Sequence, residues 1–228
     1  MSALDTPPVT TLDLDAQGLR AVNSALQAAP DGARFAVAGP GGRHAIAAGL
    51  HAAIEVDVLG HAGYYCAGMN QAATVRVHGN AGVGVAENMM SGRVEVHGSA
   101  GQSAGATAHG GLLVVEGDAA ARCAISLKGA DVVVKGSVGH ATGFMAQTGR
   151  IVVFGDAGPA LGDSIYETRI YVRGTAEDLG ADCVAKEMRD EHRAELAALL
   201  AAAGAGDADP GDFRRYGSAR TLYHWQAP

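Results

Sequence analysis

Short runs of alternating aliphatic and other side chains return along most of this chain at a fixed interval, each closed by a glycine. The runs begin at Val56, Val75, Val94, Leu113, Val132, Ile151 and Ile170. The glycines that end them are Gly60, Gly79, Gly98, Gly117, Gly136, Gly155 and Gly174, nineteen residues apart. In an extended strand successive side chains face opposite sides. Stacked in register, the first residues of the runs form one inward file. Val58, Val77, Val96, Val115, Val134, Val153 and Val172 form a second. A constant period with one strand per repeat predicts a solenoid. Nineteen residues suit one coil of a parallel β-helix and are too few for a helix-turn-helix repeat. The expected fold is an all-β solenoid, a right-handed parallel β-helix of about seven coils, roughly 30 Å long at the spacing of paired strands.

The third and seventh positions after each glycine hold only Gly or Ala, as at Gly63 and Ala67, Gly82 and Ala86, or Gly101 and Gly105. Small residues in register predict a sharp corner, or a place where coils approach too closely for a larger side chain. Outside the ladder, an open stack needs caps over its unpaired edges. Leu12, Leu14, Leu19, Val22 and Leu26 have helical spacing, which predicts an N-terminal helical cap over residues 1–41. The Gly-rich stretch from Ala36 to Ala48 reads as an irregular first coil. The β-helix itself is expected over residues 42–176, with a C-terminal helical extension over 177–228. In that extension Asp182–Ala203 reads as a helix stopped by Gly204 and Gly206, Asp207–Asp212 as a linker, and Ser218 as the cap of a final short helix carrying Leu222 and Trp225.

One column breaks the alternation. The residue between the two inward files should face outward, and it runs Asp57, Arg76, Glu95, Val114, Val133, Val152, Tyr171. The apolar stripe Val114, Val133, Val152 and Tyr171 calls for a cover. Two covers are open: the chain's own C-terminal helix, through Val184, Met188, Leu196 and Leu199, or a partner subunit.

Composition narrows the class. The chain of 228 residues has a formal net charge of −7, and no run of basic residues marks a local patch, so nucleic acid is not an expected partner. No apolar stretch approaches membrane-spanning length, and the N-terminus lacks a signal-peptide pattern, so a cytoplasmic protein without a membrane partner is expected. Cys66, Cys123 and Cys183 are too scattered for a disulfide framework.

Catalytic chemistry is hard to place. The run Gly98–Gly105 lacks the Lys-Ser/Thr ending of a phosphate loop, and no helix follows it as a dinucleotide site requires. His78 and His97 stand in one outward column of adjacent coils, where two imidazoles suit either a solvated ladder or a metal lacking a third ligand. Asp131 and Arg150 can pair across coils, whereas Arg150 stacked on Arg169 needs a carboxylate from elsewhere and points to a contact surface. No catalytic, cofactor-binding or metal-binding residue is assigned, and the chain reads as a scaffold.

The wording of the repeats carries a resemblance. The segments Gly98–Gly105, Leu113–Gly117, Gly92–Gly98 and Gly149–Gly155, with Tyr216–Ser218 in the tail, resemble the C-terminal β-helix (GXGXG) domain of the glutamate synthase large subunit, over roughly residues 42–176. In that family the domain follows an amidotransferase domain and a flavin/iron–sulfur domain. This chain, starting Met1-Ser2-Ala3, looks like the freestanding version, similar to the β-helix subunit of N-methylglutamate synthase. The resemblance implies a non-catalytic subunit beside a class II amidotransferase-like chain and a glutamate-synthase-like chain holding FMN and an iron–sulfur cluster. The product would be N-methylglutamate, made from methylamine and glutamate with release of ammonia. A freestanding glutamate synthase is the neighbouring reading. The β-helix subunit of formylmethanofuran dehydrogenase, or of the related formyltransferase/hydrolase complex, shares the repeat type and is the alternative.

Overall fold

The computed structural model describes residues 8–176 and 178–220. Its strands are β1 (Val9–Asp13), β2 (Arg34–Ala38), β3 (Glu55–Val58), β4 (Thr74–Val77), β5 (Arg93–Val96), β6 (Leu112–Val115), β7 (Lys128–Val134), β8 (Thr148–Val153), β9 (Arg169–Val172), β10 (Cys183–Lys186) and β11 (Arg214–Ser218). Its helices are α1 (Leu14–Gln17), α2 (Leu19–Gln27) and α3 (Asp190–Ala202). All strands join one sheet in the order β1-β2-β3-β4-β5-β6-β7-β8-β9-β11-β10. From β3 to β9 the pairing is parallel with a nineteen-residue offset, Val56 against Val75 and Val132 against Ile151. The fold is a parallel β-solenoid with a C-terminal helix. No helix among the described residues is long and apolar enough to cross a membrane.

Each coil has three sides. The strand is the first. A single bridge residue makes the second, stacking Ala62, Ala81, Ala100, Ala119, Val138 and Ala157. The third is a zigzag in which the fifth, seventh and ninth residues after the closing glycine take positive φ, as at Tyr65 (60°), Ala67 (54°) and Met69 (56°). Left-handed backbone costs a non-glycine residue roughly 1 kcal/mol or more. Inter-coil hydrogen bonds offset that cost: Tyr65 N–H donates to Val83 O, Ala67 N–H to Ile46 O and Met69 N–H to Glu87 O, all at 2.8–2.9 Å. The zigzag thus binds both neighbours, upward and downward by turns.

At the glycine ladder the coils approach too closely for a side chain. Gly98 N–H donates to Gly79 O at 3.0 Å, and Gly117 and Gly136 repeat the bond at 2.9 and 3.0 Å. A Cβ on Gly136 would lie 2.8 Å from the Gly117 backbone, so no side chain fits. One position on runs a second ladder that the sequence reading did not single out. The side chains of His61, Asn80, Ser99, Asp118, Ser137 and Asp156 each accept the backbone N–H of their counterpart in the next coil, at 2.8–3.2 Å. Every residue in this column carries a side-chain acceptor, and that was the available signal. At its end, the bonds from Thr175 hold the Asp156 carboxyl below its ordinary value.

The core is the pair of predicted files, all fully buried, met from the third side by a file containing Cys66, Val85, Ala104, Cys123, Thr142 and Leu161. Asn70 is buried among them with its needs met, donating to Ala73 O (2.8 Å) and accepting from Ala73 N–H (3.0 Å).

Both ends differ from the expectation. Leu12 lies in a strand, and β1 and β2 extend the sheet beyond the ladder, with β2 offset from β3 by 21 residues. The stretch from Ala36 to Ala48 begins with part of β2 and continues into a full third side, with positive φ at Ala45, Ala47 and Gly49. Helix α2 caps it: Asn23 donates to Ala45 O and accepts from Ala47 N–H, and Gln27 donates to Ala48 O. At the other end the helix is shorter than expected. Cys183–Lys186 is a strand because β11 pairs antiparallel with β9 and leaves an edge that β10 fills. Ser218 ends β11 rather than capping a helix, and Leu222 and Trp225 lie outside the described residues.

Candidate functional site

Helix α3 folds back over the last coils. Val114, Val133, Val152 and Tyr171 are each at most 1% exposed beneath Leu196, Leu199, Leu200 and Phe213. The chain therefore covers its own apolar stripe. Met188 packs at the margin of this cluster, whereas Val184, on β10, is exposed. The same helix supplies the carboxylate that the stacked arginines require. Arg150 grips Asp131 with two bonds (2.6 and 2.5 Å), and Glu195 of α3 pairs with Arg169, lies 4.0 Å from Arg150 and accepts the Tyr171 hydroxyl at 3.3 Å. Burial, followed by the Glu195 charge, pushes the Tyr171 phenol up to about 12.

Beside this contact lies a cleft of about 780 Å³ where β7, β8 and β9 meet α3, β10 and β11. Arg150, Arg169, Lys186, Arg189, Arg215 and Arg220 line it, against the carboxylates of Asp131, Glu167 and Glu195. A local basic surface therefore exists, contrary to the sequence reading. Its members come from strands and loops spread over seventy residues, so no linear run announces it. Burial, with the charges of Arg169 and Arg189 nearby, holds the Arg215 guanidinium below its ordinary value.

The remaining candidates are separate from this cleft. His78 and His97 meet edge-on, with ring centroids 4.6 Å apart, and His78 Nε2 lies 2.6 Å from Asp57. Among the described residues no group of three or more His, Cys, Asp or Glu is gathered closely enough to hold a metal ion. Cys66 and Cys123 are fully buried in one inward file, and burial pushes both thiols up to about 12. A raised thiol is a poor nucleophile.

These features define a class, a capped parallel β-solenoid whose terminal coils, helix and closing strands flank a cationic cleft. The family model described as the GXGXG motif matches residues 35–198, and the chain belongs to that family, whose repeat is of the type that ends the glutamate synthase large subunit. The match runs from β2 into α3, so it takes in the helix that covers the stripe. A segment of 53 residues is 57% identical to Protein GlxC of Rhizobium meliloti (strain 1021), and it covers 23% of this chain and 23% of that protein.

Proposed function

We propose that this chain is the non-catalytic scaffold subunit of a glutamate-synthase-like complex of the N-methylglutamate synthase kind, working in the cytoplasm. One observation carries the reading: the GXGXG family match extends over the solenoid and most of α3. In the proposed complex a class II amidotransferase-like subunit and a subunit holding FMN and an iron–sulfur cluster carry the reactive groups. The rod keeps them at a fixed separation, so that a small nitrogen-bearing intermediate passes between sites without escaping. Rigidity suits that task. A stack tied on all three sides by inter-coil hydrogen bonds has few ways to bend.

The test is gentle co-purification of the tagged chain from its host grown on methylamine, followed by mass spectrometry and a visible spectrum. A yellow-brown eluate with an amidotransferase-like chain and a flavoprotein, forming N-methylglutamate from methylamine and glutamate, is the expected result. Glutamate made from ammonia instead assigns a freestanding glutamate synthase. A colourless eluate carrying formyltransferase-type subunits overturns the nitrogen chemistry and moves the chain to a one-carbon complex.

A further inference from the structure

We propose that the cationic cleft is a docking site for an acidic polypeptide segment of a partner subunit. Strand register sets like charges side by side along its wall. Lys186 stands directly opposite Arg215 across the β10–β11 pair, and Arg150 is registered against Arg169 across β8–β9. Like charges in facing positions are unfavourable unless an anion lies between them. For the second pair Asp131 and Glu195 supply that anion. For Lys186 and Arg215 no carboxylate lies within ion-pair distance among the described residues; Arg215 finds only the carbonyl oxygen of Glu187, at 2.9 Å.

A second observation points the same way. Thr168 lines the cleft, is 1% exposed, and its hydroxyl has no hydrogen-bond partner among the described residues. A buried hydroxyl without a partner is costly, and a carboxylate oxygen would accept from it. Of the six cations, Arg150 and Arg169 are engaged by Asp131 and Glu195, Arg189 by Glu187 and Arg220 by Asp182, which leaves Lys186 and Arg215 as the cations without an ion pair among the described residues.

The character of the cleft selects the occupant. Small-molecule sites are enclosed and mostly apolar, with a few convergent polar groups. This one is a groove walled by charged side chains and shared among five strands and a helix. Each guanidinium offers a fork that a carboxylate fills with two bonds, as Asp131 does for Arg150. Several carboxylates borne on one segment can engage cations set along a groove in this way. On a chain of net charge −7 the groove is also where an acidic partner meets attraction rather than repulsion.

The inference rests on the chain being a subunit, but its test reads the cleft alone, so failure here leaves the co-purification result standing. The full chain is titrated with a fluorescein-labelled hexaglutamate peptide, followed by fluorescence anisotropy between about 50 and about 200 mM salt. Saturable binding that weakens with salt is expected, reduced at least about tenfold by Lys186→Glu or Arg215→Glu and unchanged by Arg20→Glu on the exposed face of α2. Where Arg215→Glu fails to fold, Lys186→Gln reads the same site from a half-exposed position. Binding that both cleft variants leave intact overturns the proposal. So does equal affinity for a hexalysine peptide, tighter binding of an RNA oligonucleotide, or displacement of the peptide by equimolar free glutamate or inorganic phosphate.

Discussion

Along the outer face of the sheet, Asp57, Arg76 and Glu95 occupy the same column as Val114, Val133, Val152 and Tyr171, on strands of one register. The first three meet water and one another: Arg76 reaches Glu55 at 2.9 Å, Glu95 at 3.5 Å and Asp57 at 4.0 Å. The last four lie under α3. The backbone is shared, so the difference is purely one of side-chain chemistry. Part-exposed ion pairs contribute about 0–1 kcal/mol each, whereas burying a leucine contributes roughly 1.5–3 kcal/mol. The polar half therefore remains a free surface, while the apolar half recruits the tail that builds the cleft.

The largest effect comes from exchanging the chemistries. Val133→Glu places an unpaired carboxylate beneath α3 and should cost about 3–5 kcal/mol, or detach the helix. Arg76→Gln on the open half removes part-exposed ion pairs without adding a like charge and should cost less, about 1–2 kcal/mol. Urea unfolding of the two variants checks this, and equal midpoints would show that α3 does not seal the stripe in solution.

Truncating the cover comes next. Leu196→Ala should cost about 2–5 kcal/mol, against under about 0.5 kcal/mol for Leu59→Ala, which is half exposed on the open side. Gly136→Ala tests what both halves share. Its Cβ would press on the Gly117 backbone at 2.8 Å, and a loss of about 1–3 kcal/mol is expected from the overpacking. A neutral Gly136→Ala in thermal unfolding would mean that the coils yield at the ladder.

A smaller effect lies at the start of α3. The Arg189 N–H donates to His192 Nδ1 at 3.2 Å, a bond that needs the unprotonated ring. Burial, then Arg215 and Arg169, holds the His192 imidazole below its ordinary value, with Glu191 and Glu195 opposing. The unfolded chain therefore takes up the proton first, and stability contributed by the neutral ring is lost as pH falls below about 6.5. His192→Gln keeps an acceptor at the same helical position. It should flatten the fall in melting temperature between about pH 7.5 and about pH 5.5; an unchanged slope would assign the acid sensitivity elsewhere.

The smallest effect is kinetic. Cys66 and Cys123, in the tied stack, should stay unreactive to a thiol reagent until global unfolding. Cys183, at the closing end, is 6% exposed with its thiol raised to about 11, and should react first through local opening. Simultaneous reaction of all three would mean that both ends open together.

The sequence alone determined the solenoid, its period, its two inward files and the existence of an apolar stripe. Each of those follows from local alternation repeated at a constant interval, and in a stack every coil meets only its neighbours. It left the cover of the stripe open between α3 and a partner. It also mistook Cys183–Lys186 for helix, because Ala- and Glu-rich composition favours helix until a free sheet edge competes for the same backbone. The cleft was only partly legible. Arg150 and Arg169 stand one period apart and already pointed to a contact surface, whereas Lys186, Arg189, Arg215 and Arg220 follow no period and join them only because the chain reverses after β9 and sends β11 back antiparallel. Local pattern dictates what repeats along the rod; the tertiary structure alone decides what meets where the repeat stops.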